Sequence, residues 1–171
     1  ARITAREVAG TGINWTFAPM VDLSRDPRWG RVIEGGGEDA FLGAAIAAAR
    51  VRGYRKGGVA VAVKHYVGYG GAEAGRDYND APIPTSELFD RHLPPFKAAI
   101  DAGAETVMAA FNTVNGSPAS ADRRPIDIEM VKEVARAIRI PFAVGGGIST
   151  VEDMSRVLLA VKSALAEQDA V

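Results

Sequence analysis

The chain of 171 residues contains no cysteine, which excludes disulfides, thiol catalysis and cysteine-bound zinc. Its two histidines, His65 and His92, are too few for a histidine-rich centre, and neither a metal nor a cofactor is expected. Neither sign of charge is in excess: Lys and Arg number 20, Asp and Glu 21, leaving a net charge of −1. That balance offers no basic footprint for nucleic acid. No apolar run is long enough to cross a bilayer, and no charged-then-apolar signal opens the chain, so no membrane role is expected. The first residue is Ala1 rather than methionine, as in an excised piece or a processed chain. The length suits one domain with a real core and is short for two.

What the chain does have is alternation of helical and extended patterns. Arg2–Ala9 reads as a helix stopped by Gly10 and Gly12, and Ile13–Leu23 as a buried strand with a proline inside it. Asp39–Tyr54 carries Phe41, Leu42, Ala45, Ile46 and Ala49 at helical spacing and closes at Gly53. Val59–Tyr66 is a β-branched run, hence a buried strand. Ser86–Ala102 reads as a helix bent or restarted at Pro94–Pro95, with Gly103 as its stop. Glu105–Asn112 is the third strand, Ile126–Ile138 an amphipathic helix and Pro141–Val144 the fourth strand. Thr150–Glu167 is the last helix, opened by Thr150 and Asp153 in the manner of a capping box.

Strands alternating with helices imply parallel pairing through right-handed crossovers. The loops after strands are long and polar, which points to a site at the C-terminal strand ends. A closed (β/α)₈ barrel takes about 250 residues. The expected fold is therefore α/β: a partial, TIM-barrel-like half-barrel of about four parallel β/α units, or else a small doubly wound sheet. It is expected as a single domain over 1–171. Open edges invite association, so a homodimer completing eight strands is expected.

Three blocks stand out: "FAPMVDLSRDPRWGRVIEGGGED" (17–39), "VKHYVGYGGAEAGRDYN" (63–79) and "LPPFKAAIDAGAETVMAAFNTVNGSPAS" (93–120). Together, in order and spacing, they resemble family 3 glycoside hydrolases of the β-glucosidase type over roughly residues 1–124. The resemblance implies a small-molecule sugar ligand. It implies that Arg31, Lys64, His65 and Arg76 bind the glucosyl unit at the cleavage subsite, with Phe111 and Met108 beside it. The chemistry is reasonable in itself, since long cationic donors reach two hydroxyls at once and an aromatic face suits a sugar ring.

Blander roles compete for several of these residues. Arg28 and Arg31 flank Trp29 and have Glu34, Glu38 and Asp39 available as ion-pair partners. Trp15 and Phe17 are expected in the core. Glu73 and Asp77 are expected to be solvated or paired with Arg76, and His92 to be structural or exposed. Lys64 and His65 are adjacent, and neighbours on a regular strand point to opposite faces. For both to face one pocket the backbone must leave regular geometry, so a strained Lys64–His65 peptide is expected, a cis non-proline bond being one form of it.

The resemblance also exposes a gap. Retaining glycoside hydrolysis needs two carboxyl groups about 5–5.5 Å apart. Aligned with the family's nucleophile strand, "FAVGGGI" puts Gly146 where the aspartate belongs, and no proton donor or catalytic residue is assigned in this chain. The segment Ile126–Ala160 instead resembles one β/α unit of the cyclase subunit of imidazole glycerol phosphate synthase, whose glycines help bind a phosphate. That resemblance implies a second reading: Gly145, Gly146 and Gly147 cradle a phosphate or sugar phosphate at a helix N-terminus. The chain then divides into a hydrolase-like part (1–124) and a cyclase-like part (125–171). Three readings result: a sugar-binding fragment with weak or absent hydrolysis, a phosphate binder, or a non-catalytic chimeric scaffold.

Overall fold

The computed structural model describes residues 1–119. The expectations for the fourth strand, the two helices around it and Gly145, Gly146 and Gly147 lie outside the described residues.

The organising element is strand β2 (Ala60–Tyr66), flanked on either side by β1 (Trp15–Thr16) and β4 (Thr106–Ala109), both parallel to it. Its alternation sets the layers. Val61 and Val63 point to one face, where they meet helix α2 (Ala40–Lys56) through Ala47 and Val51 and helix α4 (Leu93–Asp101) through Phe96 and Ala99. Each fully buried valine contributes about 1.5–3 kcal/mol relative to exposure. The opposite face carries Ala60, Ala62 and Lys64, with Thr106 and Met108 in register beside the last two. Helix α1 (Arg2–Gly10) packs on α2 and buries Ala5.

The first strand is shorter than its apolar pattern predicts. Ladder pairing covers Trp15 and Thr16 and resumes as a single bridge between Met20 and Lys64, on either side of Pro19, which has no N–H to give and whose peptide with Ala18 is cis. Trp15 and Phe17 are not core residues: they are 46% and 54% exposed. As alternate residues of this edge segment they share one side, where their rings meet edge-on at 4.8 Å. The Trp15 indole N–H reaches across β2 to donate to Thr106 Oγ1 at 3.0 Å, which places the pair on the face turned away from the helices.

Helix α2 begins where expected, with the Asp39 carboxylate accepting from Leu42 N at 2.7 Å. It continues through Gly53 to Lys56, and its inward stripe is Gly43, Ala47 and Val51 rather than the larger residues. Phe41 is 85% exposed. The reason is close packing: a Cβ on Gly43 would lie 2.6 Å from Leu23 Cδ2, so only small residues let the helix approach the loop after β1.

The irregularity in the next helical segment precedes the prolines. A short turn, α3 (Thr85–Glu87), runs into a wide π-type turn over Leu88–His92, and α4 starts at Leu93 with the prolines in its first turn, where their missing N–H groups cost nothing. His92 is buried there, and burial pushes its pKa down. A small second sheet, β3 (Asp80–Ala81), β5 (Thr113–Val114) and β6 (Ser117–Pro118), was not apparent in the sequence patterns. Asp80 ties it together by accepting from Thr113 Oγ1 and from Gly116 N.

Candidate functional site

At the C-terminal end of β2 the ladder carries a register shift between Lys64 and Tyr66, and both the Lys64–His65 and Tyr66–Val67 peptides are cis. This matches the expectation of irregular backbone at Lys64–His65. Val21 N donates to Lys64 O at 2.8 Å, which brings the residue after Val21 alongside His65. That residue is Asp22. Its Oδ2 accepts from the His65 backbone N–H at 2.9 Å and pairs with the ring Nδ1 at 2.8 Å. Both residues are buried, at 4% and 3% exposure.

Beyond His65 comes Arg31, whose Nη1 lies 3.1 Å from His65 Nε2. Arg31 opens a single 3₁₀ turn over Val32–Glu34. Residues three apart eclipse one another in such a turn, so the Glu34 carboxylate faces the guanidinium and accepts from Nε at 2.7 Å and from Nη2 at 2.8 Å. Those bonds hold the Glu34 carboxyl below its usual pKa; partial burial opposes them, and the charges of Arg31 and Lys64 add to the lowering. Arg31 is in turn pushed above its already high value, first by its bonds to Glu34. Two of the three ion-pair partners considered for the arginines differ from what forms: Arg31 takes Glu34, while Arg28 folds back on Asp26 with contacts of 2.6–3.1 Å.

Tyr69 forms the floor. Its ring meets His65 edge-on at 5.0 Å and Trp29 at 5.4 Å, and the Arg31 guanidinium carbon is 5.9 Å from its centroid. The Trp29 indole N–H donates to Asp77 Oδ1 at 2.6 Å. Asp77 is thus neither simply solvated nor the ion-pair partner of Arg76; it is the acceptor for a buried indole. The Tyr69 phenol is pushed up to about 12, first by burial and then by the charge and hydrogen bond of Asp77.

Two glycines permit this closeness. A Cβ on Gly70 would stand 2.2 Å from Leu23 O, and one on Gly75, whose φ is +65°, would stand 2.6 Å from Trp29 N. The obstacles are backbone atoms, so the loop after β2 lies directly against the loop after β1.

Of the residues singled out from the sequence, Arg31 and His65 come into contact, and Lys64 precedes His65 on β2. Met108 sits in register beside Lys64 on β4. Arg76 is exposed one residue before Asp77. Phe111 follows β4 and is 62% exposed, with its ring 5.7 Å from that of Tyr78. Asp22, Tyr69 and Asp77 complete the cluster without having been assigned to it. The sequence signal for Asp22 is a lone carboxylate in an otherwise apolar strand, which burial obliges to find a donor.

A model of the glycosyl hydrolase family 3 N terminal domain matches residues 1–136, and a model described as histidine biosynthesis protein matches residues 115–166. A periplasmic beta-glucosidase of Salmonella typhimurium is 43% identical over 127 residues, covering 71% of this chain and 17% of that protein. A lysosomal beta glucosidase of Dictyostelium discoideum is 36% identical over 130 residues, covering 69% of this chain and 16% of that protein. Among solved structures, a β-glucosidase from Listeria innocua in complex with isofagomine superposes with a TM-score of 0.73 at 37% identity, covering 93% of this chain and 22% of its own. The chain thus spans 16–22% of the length of these relatives.

Proposed function

The chain belongs to glycosyl hydrolase family 3, and from that membership we propose that it supplies part of the glucosyl-binding wall of a β-glucosidase-type, TIM-barrel-like domain. In this reading Arg31 and Lys64 donate hydrogen bonds to sugar hydroxyls beside His65, which holds Arg31, while Met108, Phe111 and Arg76 border the ring. The observation that supports it is the chain of contacts from Glu34 through Arg31 to His65 at the C-terminal end of β2, with Lys64 next to His65. Parallel α/β folds place their ligands at those strand ends.

Hydrolysis by this chain is expected to be weak or absent. In this reading Gly146 stands at the nucleophile position, and a glycine has no oxygen with which to form a glycosyl ester. Loss of one member of a cooperating catalytic set removes most of the rate enhancement. If the chain is active, the activity is cleavage of a β-glucosidic bond. Titration with glucose followed by tryptophan fluorescence tests the binding reading: saturable binding abolished by Arg31→Ala is expected, and identical curves for both proteins refute it. Incubation with an aryl β-glucoside tests the second part, and turnover well above buffer that Arg31→Ala removes refutes weak or absent hydrolysis.

The match of residues 115–166 to the histidine biosynthesis model favours one second reading. Gly145, Gly146 and Gly147 would receive a phosphate through backbone N–H groups. Phosphate-induced shifts of those amides are the expected result, and their silence refutes it. Pairing of two half-barrels is a further part of the proposal, since β1 borders the described sheet and presents Trp15 and Phe17 there. Sedimentation as a compact monomer refutes that pairing.

A further inference from the structure

We propose that Asp22 is a positioning residue for the sugar site: it locks His65 as the neutral imidazole carrying its proton on Nδ1, and thereby makes Nε2 the acceptor that aims Arg31. The functional consequence rests on the sugar-binding reading above; the lock itself does not.

Two independent contacts assign the same tautomer. A carboxylate can only accept, so the 2.8 Å contact between Asp22 Oδ2 and Nδ1 requires the proton on Nδ1. A guanidinium can only donate, so the 3.1 Å contact between Arg31 Nη1 and Nε2 requires a bare Nε2. An imidazolium satisfies the first and opposes the second. The Nε2–H form, which an isolated histidine side chain favours, opposes both. Asp22 Oδ2 also accepts the backbone N–H of His65 at 2.9 Å, so one buried oxygen fixes the ring's proton and the main chain that carries it. The edge-on packing of Tyr69 on the ring restrains its plane but says nothing about which nitrogen is protonated. The tautomer therefore depends on Asp22.

The effect travels one residue further. Arg31 is shared between Glu34, which takes Nε and Nη2, and His65, which takes Nη1. With Nε2 bare the guanidinium is held at both ends. With Nε2 protonated, one end loses its acceptor and the fork swings with the partly exposed Glu34 alone. Asp22 touches no ligand in this scheme; it acts through His65 on the residue that does.

Long-range proton–nitrogen correlation of the ligand-free full chain, labelled at histidine, reads the tautomer directly, and His92→Asn assigns the two rings. His65 is expected to show a protonated Nδ1 and a bare Nε2 at neutral pH. A protonated Nε2, alone or with Nδ1, overturns the proposal without needing any variant. In Asp22→Ala and Asp22→Leu, the second keeping more of the side-chain volume, the Nε2–H form is expected to appear and glucose binding to weaken roughly tenfold or more. A folded variant that keeps only the Nδ1–H form overturns the role of Asp22. A wild-type chain that shows the expected tautomer yet binds no glucose leaves the lock standing and overturns the sugar reading instead.

Discussion

Replacing Arg31 by lysine keeps the charge and removes the fork, which separates geometry from simple electrostatics. Arg31 makes two contacts with Glu34, at 2.7 and 2.8 Å, and one with His65 Nε2 at 3.1 Å. The Glu34 side chain is 40% exposed, so solvent screening limits that pair to roughly 0.5 kcal/mol. The bond to His65 lies deeper. Losing it leaves a ring nitrogen without its donor beside a buried carboxylate, at a cost of about 1–2 kcal/mol. Arg31→Lys is thus expected to destabilise by about 1.5–2.5 kcal/mol, and Glu34→Gln by only ~0.5 kcal/mol. Urea unfolding at neutral pH, in low and high salt, gives both values from one protocol. The Glu34→Gln effect is expected to shrink in salt, whereas most of the Arg31→Lys effect persists. Equal losses in the two variants, or disappearance of the arginine effect in salt, would refute the claim that Arg31 is held chiefly by His65.

Other expectations follow from the same contacts. The folded-state pKa of Glu34 is depressed by Arg31, so its contribution is present above the unfolded carboxylate value of about 4.3 and is lost as pH falls through the lower folded value. The stability gap between wild type and Glu34→Gln should therefore close in acid, and a gap that widens there contradicts the assignment. Trp29→Phe removes the indole donor from Asp77 and should cost about 2–3 kcal/mol in the same unfolding assay, against near-neutrality if that bond is incidental. Phenolate absorbance should show Tyr69 ionising late, near 12, and Asp77→Asn should bring that ionisation to lower pH; an unmoved curve would show burial acting alone. Gly70→Ala sets a Cβ against backbone and should cost about 3 kcal/mol or more, whereas Gly43→Ala meets only the flexible end of Leu23 and should cost about 1–2 kcal/mol.

The elements most legible in the sequence were those whose own residues specify them. The β-branched run gives β2, Asp39 caps α2, and Gly103, at φ +96°, follows the end of α4. Arg31, Lys64 and His65 were singled out through family resemblance, and the irregular backbone at Lys64–His65 through the simple geometry of alternation. What escaped had its cause elsewhere in the chain. The inward face of α2 is set by the close approach of Leu23 at Gly43, so the larger residues at 41 and 42 turn outward. Trp15 and Phe17 looked like core because hydrophobicity says that a residue wants cover, not which face of an edge strand receives it. Asp22 and His65 lie 43 residues apart, and Trp29 and Asp77 lie 48 apart. No local period encodes such bonds. Buried polar side chains demand partners, but the sequence does not name them.

The contact of Gly70 with Leu23 O, and of Gly75 with Trp29 N, makes heredity of the two loops joint. Neither wall can be exchanged for a homologue's without bringing its neighbour, because the abutting surfaces are main chain and leave no side chain to adjust. Viable crossovers between barrel lineages should therefore fall outside the interval from Leu23 to Gly75. The two family matches overlap at 115–136, well beyond it.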